Sequence, residues 1–222
     1  MLFSYTLLMP HISTLDWSTH AHIWLDIDET LASTVSWLIA YAQSRWQLLH
    51  IRSIEDIRKH DASWLGSDIT PEEVSDLWEG YGRSTLSPRD VAPVEYAIEG
   101  VKELYESGKT LSIITARSSH EPWKVERTLR WVRWYFAYIE DADIHFVNHF
   151  TDEMKPKSEV CHEIWVSIMI DDSMENAHEL CLSGIACILM EKPWNRDIIF
   201  DHPLLYRVHS WQEIIDSLHA NT

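Results

Sequence analysis

Glycine is scarce in this sequence: six glycines stand among 222 residues, against twelve tryptophans. The usual proportion of these two residue types is the reverse. Trp165 lies in HEIWVSIMIDD, where the turn between a helix and a strand normally favours glycine. We hypothesise that some tryptophans stand at glycine codons in a source that reads a stop codon unusually. Turn and cap geometry would then be imperfect and activity low.

Basic residues are also few. Lysine and arginine number 18 against 35 aspartates and glutamates, so the formal net charge is −17. Such a surface repels the phosphate backbone of nucleic acids, and the sequence contains no basic patch to offset it. We therefore expect no nucleic-acid polymer as a partner. A small anionic ligand is still compatible with this charge, because a bound cation reverses the local field.

Cysteine and long apolar runs are sparse as well. The three cysteines (Cys161, Cys181 and Cys187) form no CxxC pair, so we expect neither a zinc site nor disulfides, and a reduced, cytoplasmic setting. The apolar start, MLFSYTLLMPHI, has no basic region before it and is too short to cross a bilayer. We interpret it as an extra strand or a packed arm and expect no membrane contact. Oligomeric state is left open.

Short apolar runs alternate with amphipathic stretches along much of the chain. Runs typical of buried strands lie at 22–27, 110–116, 143–148, 166–171 and 186–190. Helical spacing of apolar residues is found at 123–139, 157–164 and 174–184. This alternation predicts an α/β fold with a doubly wound, Rossmann-like parallel sheet.

The rhythm is interrupted after the first strand. Residues 33–95 contain helix signals and no convincing strand. Thr70 followed by Pro71 and two glutamates is typical of a helix start. The sequence therefore predicts an α/β core formed by residues 1–32 and 96–222, with a helical insertion at 33–95.

Reactive side chains follow three of the predicted strands. The first strand ends in the stretch IWLDIDETL, where three carboxylates occupy four positions and would repel one another if buried. Ligands of open parallel sheets bind beyond the carboxyl ends of the strands. A lysine, either Lys155 or Lys157, precedes the fourth strand. The residues expected at this edge are Asp26, Asp28, Thr115, Asp171 and Asp172, with one of the two lysines.

This set of groups suits phosphoryl transfer. Magnesium takes hard oxygen ligands, usually a few carboxylates with water and substrate phosphate. One carboxylate can attack phosphorus, and a second can protonate the leaving oxygen and later activate water. A hydroxyl and an ammonium hold the equatorial oxygens as charge spreads over them. Taken singly, Thr115 could be an ordinary strand residue and Asp171 part of a helix cap, a role that is compatible with metal binding.

Four motifs in order resemble the haloacid dehalogenase (HAD) superfamily of phosphohydrolases. The family's DxDxT motif stands here as LDIDET, and its strand ending in a hydroxyl stands as LSIITA. Its lysine motif stands as KPKSEV, and its paired acids stand as IMIDDS. Together these motifs span most of the chain from residue 22 onward.

The resemblance implies a role for each matching position. Asp26 would be the nucleophile and a magnesium ligand. Asp28 would be the general acid and base and would offer its backbone carbonyl to the metal. Thr115 and Ala116 would bind the phosphoryl group.

The same resemblance implies the remaining members of the site. We favour Lys157 over Lys155 as the phosphate-binding lysine because it opens the helix before the IMIDD strand. Asp172 would be a direct magnesium ligand, with Asp171 behind it. The insertion at 33–95 falls where the family places its first (C1) type of cap, which closes over the site and selects substrates.

Within the superfamily, IDDSMENA and the later EKPWNRD are most similar to the 5′(3′)-deoxyribonucleotidase-like branch. LDIDETL also resembles the first motif of carboxy-terminal-domain protein phosphatases, but those proteins lack a cap in this position. The leading hypothesis is a Mg²⁺-dependent phosphomonoesterase that forms an aspartyl-phosphate and acts on a small phosphorylated metabolite such as a nucleotide. The alternatives are a weak or inactive HAD-fold binding or regulatory protein, or a phosphatase of sugar phosphates or phosphoproteins.

Overall fold

The computed structural model describes residues 10–46, 51–58, 70–84, 87–148 and 152–220. Within them six strands form one parallel sheet, in the order β3-β2-β1-β4-β5-β6. The strands are β1 (His22–Leu25), β2 (Thr110–Thr115), β3 (Ile144–Phe146), β4 (Ile168–Asp171), β5 (Ala186–Met190) and β6 (Leu205–Val208). The predicted doubly wound α/β fold is confirmed.

Seven α-helices lie in the described part of the chain. They are α1 (Thr34–Trp46), α2 (Pro71–Ser84), α3 (Ala97–Glu106), α4 (Pro122–Tyr135), α5 (Lys157–Glu163), α6 (Met174–Leu182) and α7 (Trp211–Ala220). Thr70 begins α2 as expected: its hydroxyl accepts a hydrogen bond from the Glu73 amide (3.2 Å), and the Glu73 carboxylate accepts one from the Thr70 amide (2.9 Å). This reciprocal pairing is a capping box.

Some predicted boundaries are wrong. The first strand ends at Leu25, two residues earlier than predicted, and helix α4 ends at Tyr135 rather than 139. Within the insertion, where the sequence has helix signals, the described residues 51–58 form a 3-10 turn at Ile54–Asp56 rather than an α-helix. Strand β6 and helix α7 were not predicted. The predicted arm at 1–12 lies mostly outside the described residues, and a 3-10 turn begins at Ile12.

The sheet is buried on both faces, as parallel sheets are. Alternation along β1 sends Ile23 and Leu25 into one hydrophobic cluster and Trp24 into the other. Strand β1 pairs with β2 on one side and β4 on the other. Strands β2 and β3 are therefore added on one side of β1, and β4, β5 and β6 on the other. A crevice opens at the carboxyl ends of β1, β2 and β4, where the order of the strands reverses.

The insertion leaves and rejoins the core at one place. The Ser33 amide donates to the Ala92 carbonyl (2.9 Å), and the Val94 amide donates to the Leu31 carbonyl (2.8 Å). Between these points α1 and α2 pack through aromatic rings: Trp37 of α1 meets Tyr81 of α2 edge to face, with ring centroids 5.1 Å apart. No strand forms within the described residues of this insertion. The domain boundaries remain a prediction, and the paired ends support them.

Two further features bear on the expectations above. Trp165, just after α5, has a φ of +61° and a side chain that is 92% exposed. This is the left-handed conformation that favours glycine at helix ends. Among the residues described, no helix is long and apolar enough to cross a bilayer.

Candidate active site

A buried ion cluster joins the ends of β1 and β4. The Lys157 ammonium donates to Asp26 Oδ1 (2.5 Å) and to Asp171 Oδ2 (2.7 Å). All three side chains are buried. Lys157 is the first residue of α5, which follows Pro156 and packs through Val160 and Cys161 in the same hydrophobic cluster as β1 and β4. Three residues far apart in the sequence thus meet at the sheet edge.

The other candidate lysine lies elsewhere. Lys155 is half-exposed and pairs with two glutamates of α5, Glu163 at 3.0 Å and Glu159 at 3.6 Å. The geometry therefore favours Lys157, as the resemblance did.

The two acids after β4 have different environments. Asp171 is fully enclosed: besides Lys157 it accepts hydrogen bonds from the Ser173 amide (2.8 Å) and the Asn176 side chain (3.0 Å). Ser173 in turn caps α6, so the capping interpretation of this stretch holds as well. Because the Asp171 oxygens are occupied by protein donors, it suits a supporting position rather than a direct metal ligand.

Asp172 is also buried, and its main chain is held from a distant loop. The Asn195 side chain donates to the carbonyl of Asp172 (2.8 Å) and to that of Met190 (2.9 Å), and it accepts from the Lys192 amide (3.0 Å). Asn195 therefore fixes the backbone from which the Asp172 carboxylate extends.

Burial and neighbouring charges shift the pKa values of the groups in this cluster. Burial raises the pKa of Asp26 to about 7 even though Lys157 lowers it, and the neighbouring carboxylates Asp171 and Asp28 raise it further. Burial and the same crowding hold the pKa of Asp172 well above its ordinary value. Burial alone would lower the pKa of Lys157, but Asp171 and Asp26 raise it overall.

Asp28 sits in a different setting, two residues along. Its carboxylate is gripped by the Arg117 guanidinium through two hydrogen bonds (Nε to Oδ2, 3.0 Å; Nη2 to Oδ1, 2.6 Å). The Thr34 hydroxyl donates a third (2.5 Å). Burial alone would raise the pKa of Asp28, but Arg117 and these hydrogen bonds lower it overall. About a third of the side chain (34%) stays exposed.

The predicted phosphate-binding pair ends β2. Thr115 is fully buried, and its hydroxyl accepts a hydrogen bond from the Arg117 amide (3.3 Å). Ala116 is partly exposed in the loop that follows. Both lie at the same edge as Asp26, because β2 is the direct neighbour of β1.

The donor set fits a divalent cation. Asp26, Asp171 and Asp172 are three buried carboxylates; the Lys157 ammonium contacts Asp26 and Asp171, and the charges of Asp171 and Asp26 add to the raised pKa of Asp172. Within the residues described, no group of three or more histidine, cysteine, aspartate or glutamate side chains could hold a metal by itself. Magnesium does not need one, because it is commonly held by one or two carboxylates and keeps several waters. Asp26 and Asp172, with a main-chain carbonyl, are of that kind.

Sequence reasoning missed three participants. Arg117, two residues after Thr115, binds the Asp28 carboxylate. Glu29 is buried with a φ of +59°, accepts a hydrogen bond from the Val35 amide (2.6 Å) and lies 3.9 Å from the Lys192 ammonium. Burial raises the pKa of Glu29 to about 7. Asn195 carried a signal, since it belongs to the EKPWNRD stretch, but its target could not be read from sequence.

Solved structures share this fold and its layout. They include the HAD hydrolase, family IA, variant 3, of Entamoeba histolytica (TM-score 0.51, 17% identity, covering 89% of this chain and 99% of that chain). CbbY of Rhodobacter sphaeroides in complex with phosphate is another (TM-score 0.57, 16% identity, 90% and 99%). A third is a HAD family hydrolase of Deinococcus radiodurans with bound phosphate and sodium (TM-score 0.57, 14% identity, 90% and 97%). At these identities the likeness shows the fold alone.

The fold is that of the HAD hydrolases of known structure. A comparison with curated protein sequences gives no match. The sequence model of the family described as 5′ nucleotidase, deoxy (pyrimidine), cytosolic type C, matches residues 20–221, so the chain belongs to this family of HAD-like phosphatases.

Proposed function

We propose that this protein is a Mg²⁺-dependent phosphomonoesterase that hydrolyses nucleotides through an aspartyl-phosphate on Asp26. The observation that carries the proposal is the buried contact of Lys157 with both Asp26 and Asp171 at the edge of the sheet. A carboxylate held beside a fixed ammonium can approach a phosphate dianion, because the ammonium offsets the repulsion between them.

The proposed chemistry uses two carboxylates in sequence. An oxygen of Asp26 forms a bond to phosphorus while the bond to the leaving oxygen breaks, and Asp28, which has first to take up a proton against its lowered pKa, gives that oxygen the proton. Asp28 then takes a proton from water, which attacks the phosphorus and releases phosphate from Asp26. Splitting the reaction in this way replaces one difficult step with two easier ones. The partial exposure of the Asp28 side chain supports its part.

The remaining groups bind charge. Thr115, the main chain at Ala116 and Lys157 hold the phosphoryl oxygens. Asp26, Asp172 and the carbonyl of Asp28 hold the magnesium ion, with Asp171 behind them. When bound, the ion supplies positive charge to the phosphoryl oxygens and to the crowded carboxylates.

The family supports the proposed substrate class. The family's name specifies deoxynucleotides with pyrimidine bases, and we propose a substrate of that class for this chain. The insertion at 33–95 acts as the cap. Its paired ends at Leu31 and Val94 form a natural hinge, because they rejoin the core beside β1.

The test is hydrolysis of deoxyuridine 5′-monophosphate and p-nitrophenyl phosphate, with Mg²⁺ and with a chelator. We expect turnover only with the ion. The variant Asp26→Asn removes the nucleophile and should reduce kcat by at least about 10³-fold. Asp216→Asn, on the outer face of α7, is the matched control and should leave kcat unchanged.

A wild-type protein that hydrolyses no phosphate ester in a panel of nucleotides, sugar phosphates and phosphopeptides would support a binding or regulatory role instead. Hydrolysis of sugar phosphates or phosphopeptides in preference to nucleotides would retain the chemistry and reject the substrate class.

A further inference from the structure

The Arg117 guanidinium is fixed on several sides. Two of its hydrogen bonds go to the carboxylate of Asp28. Its Nη1 donates to Thr128 Oγ1 on α4 (3.1 Å), and its Nη2 donates also to the Tyr81 phenol oxygen on α2 (3.1 Å). The side chain is only 14% exposed. A buried, planar group with these partners has one orientation available.

Tyr81 is fixed in turn by the insertion. The ring is buried, meets Trp37 edge to face at 5.1 Å, and lies under the Arg127 guanidinium at 4.4 Å. Arg127 also donates to the Tyr81 carbonyl (3.2 Å). The phenol oxygen is therefore presented to Arg117 by the packing of α2 against the core.

We infer that Arg117 is a positioning residue that aligns the Asp28 carboxylate and holds it in place through the contact of α2 with the core. The inference rests on the proposed function, in which Asp28 moves a proton. A carboxylate on a loop after a strand can rotate, and proton transfer depends on its distance and direction from the leaving oxygen. The two parallel hydrogen bonds from the Arg117 guanidinium fix the plane of the Asp28 carboxylate, and the hydrogen bond to Tyr81 fixes the guanidinium.

The geometry, rather than the charge, carries this role. Lysine keeps the positive charge but is a point donor that cannot grip both oxygens in a plane. Arg117→Lys should therefore lose the alignment of Asp28 while keeping a cation beside it. Tyr81→Phe removes only the phenol oxygen, leaving the ring in its packing with Trp37 and Arg127.

The signature of the role is a dependence on the leaving group. The alkoxide leaving a nucleotide is strongly basic, so its bond to phosphorus breaks only as Asp28 delivers the proton. The p-nitrophenolate ion is stable as an anion and leaves without that proton. Misalignment of Asp28 should therefore slow hydrolysis of the nucleotide much more than hydrolysis of the aryl ester.

The experiment compares kcat/KM for deoxyuridine 5′-monophosphate and p-nitrophenyl phosphate in the intact protein at saturating Mg²⁺, because kcat/KM reports the steps up to departure of the leaving group and not the later attack of water, which both substrates share. We expect Arg117→Lys to lower kcat/KM for the nucleotide by about 10²-fold, the lower end of what general acid catalysis contributes, and for the aryl ester by less than about tenfold. Tyr81→Phe should shift the same ratio in the same direction, by a smaller factor. Arg133→Lys, on α4 but paired with Asp141 at the surface, is the matched control and should change neither rate.

Equal losses on both substrates, in Arg117→Lys and in Tyr81→Phe, would overturn the inference and leave the proposed function intact. A rise in KM alone would overturn it too, since it would assign Arg117 to substrate binding. A wild-type protein that hydrolyses neither substrate would overturn the proposed function and this role with it. If thermal unfolding shows that Arg117→Lys does not fold, the milder Tyr81→Phe decides.

Discussion

The two halves of the candidate site are built in different ways. On one side, Lys157 binds Asp26 and Asp171, and all three belong to the core. On the other side, Arg117 binds Asp28 and also Tyr81, which belongs to the insertion. One cation thus joins strand ends, and the other joins the core to the helix that lies over it.

This difference indicates a division of labour. The buried ion cluster of Lys157 lies at the ends of the paired strands, so it forms whenever the sheet forms. The Arg117 side is complete only when α2 packs on the core. Under the proposed function, the group that receives the phosphoryl is thus permanent, and the group that moves the proton depends on the insertion.

Removing the core-side cation should have the largest effect. Lys157→Met leaves Asp26 and Asp171 buried without their shared partner. We expect the free energy of unfolding to fall by about 3–5 kcal/mol, the usual result of breaking a buried ion pair. Phosphatase activity should fall by about 10²–10³-fold, as when a donor to a developing anion is lost. Chemical denaturation and steady-state kinetics measure the two effects.

Lys155→Met is the matched control for this comparison. It removes an exposed lysine from the same segment, and surface pairs of this kind contribute about 0–1 kcal/mol. If Lys155→Met abolished activity while Lys157→Met kept it, the assignment of the lysine would be wrong.

The pH dependence of stability should separate the two sides by sign. In metal-free protein, the pKa of Asp26 is raised to about 7, so between about pH 4 and pH 7 the folded state binds a proton that the unfolded state has released. Its stabilising contribution is therefore lost as the pH rises through this window. The pKa of Asp28 is lowered, so its contribution is present above about pH 4 and is lost as the pH falls below that value.

Denaturation in the presence of a chelator across pH 3–8 measures both arms. Asp26→Asn should make the neutral arm shallower without removing it, because the raised pKa values of Glu29 and Asp172 contribute to the same arm. Asp28→Asn should make the acidic arm shallower. If the stability of the wild-type protein rises between pH 4 and pH 7, and neither variant shows a changed slope, the two carboxylates do not differ in this way.

The smallest effect lies outside both halves, at Trp165. Replacing a residue at φ +61° with glycine relieves backbone strain at the cost of chain entropy in the unfolded state. Trp165→Gly should therefore raise the free energy of unfolding by roughly 0.5–1 kcal/mol. Trp78→Gly, in the interior of α2 and also exposed, should lower it by about 1 kcal/mol. Thermal unfolding distinguishes the two.

Destabilisation by Trp165→Gly would show that tryptophan stabilises the fold at this position more than glycine does. An ordinary UGG codon at this position would separately end the hypothesis that it replaces glycine.

Local pattern was sufficient where an element has a strong periodic signal. The strands β1, β2 and β4 are continuous apolar runs because they are buried on both faces, and their ends therefore identified the edge that holds Asp26, Thr115 and Asp171. Strand β6 gave no such signal, since at this edge of the sheet only its first and last residues, Leu205 and Val208, are buried. Its pairing with β5 is what makes it a strand.

The sequence by itself determined the fold class, the order of the motifs and the identity of the acids, because hydrophobic period and residue type are local properties of the chain. Only the tertiary structure decided which partner each charge has. Lys157 rather than Lys155 reaches Asp26 because α5, which begins at Lys157, packs in one hydrophobic cluster with β1 and β4. Arg117 meets Asp28 and Tyr81 because two strands and an inserted helix converge at one point. Arg117 and Asp28 are 89 residues apart in the chain, so packing alone brings them together.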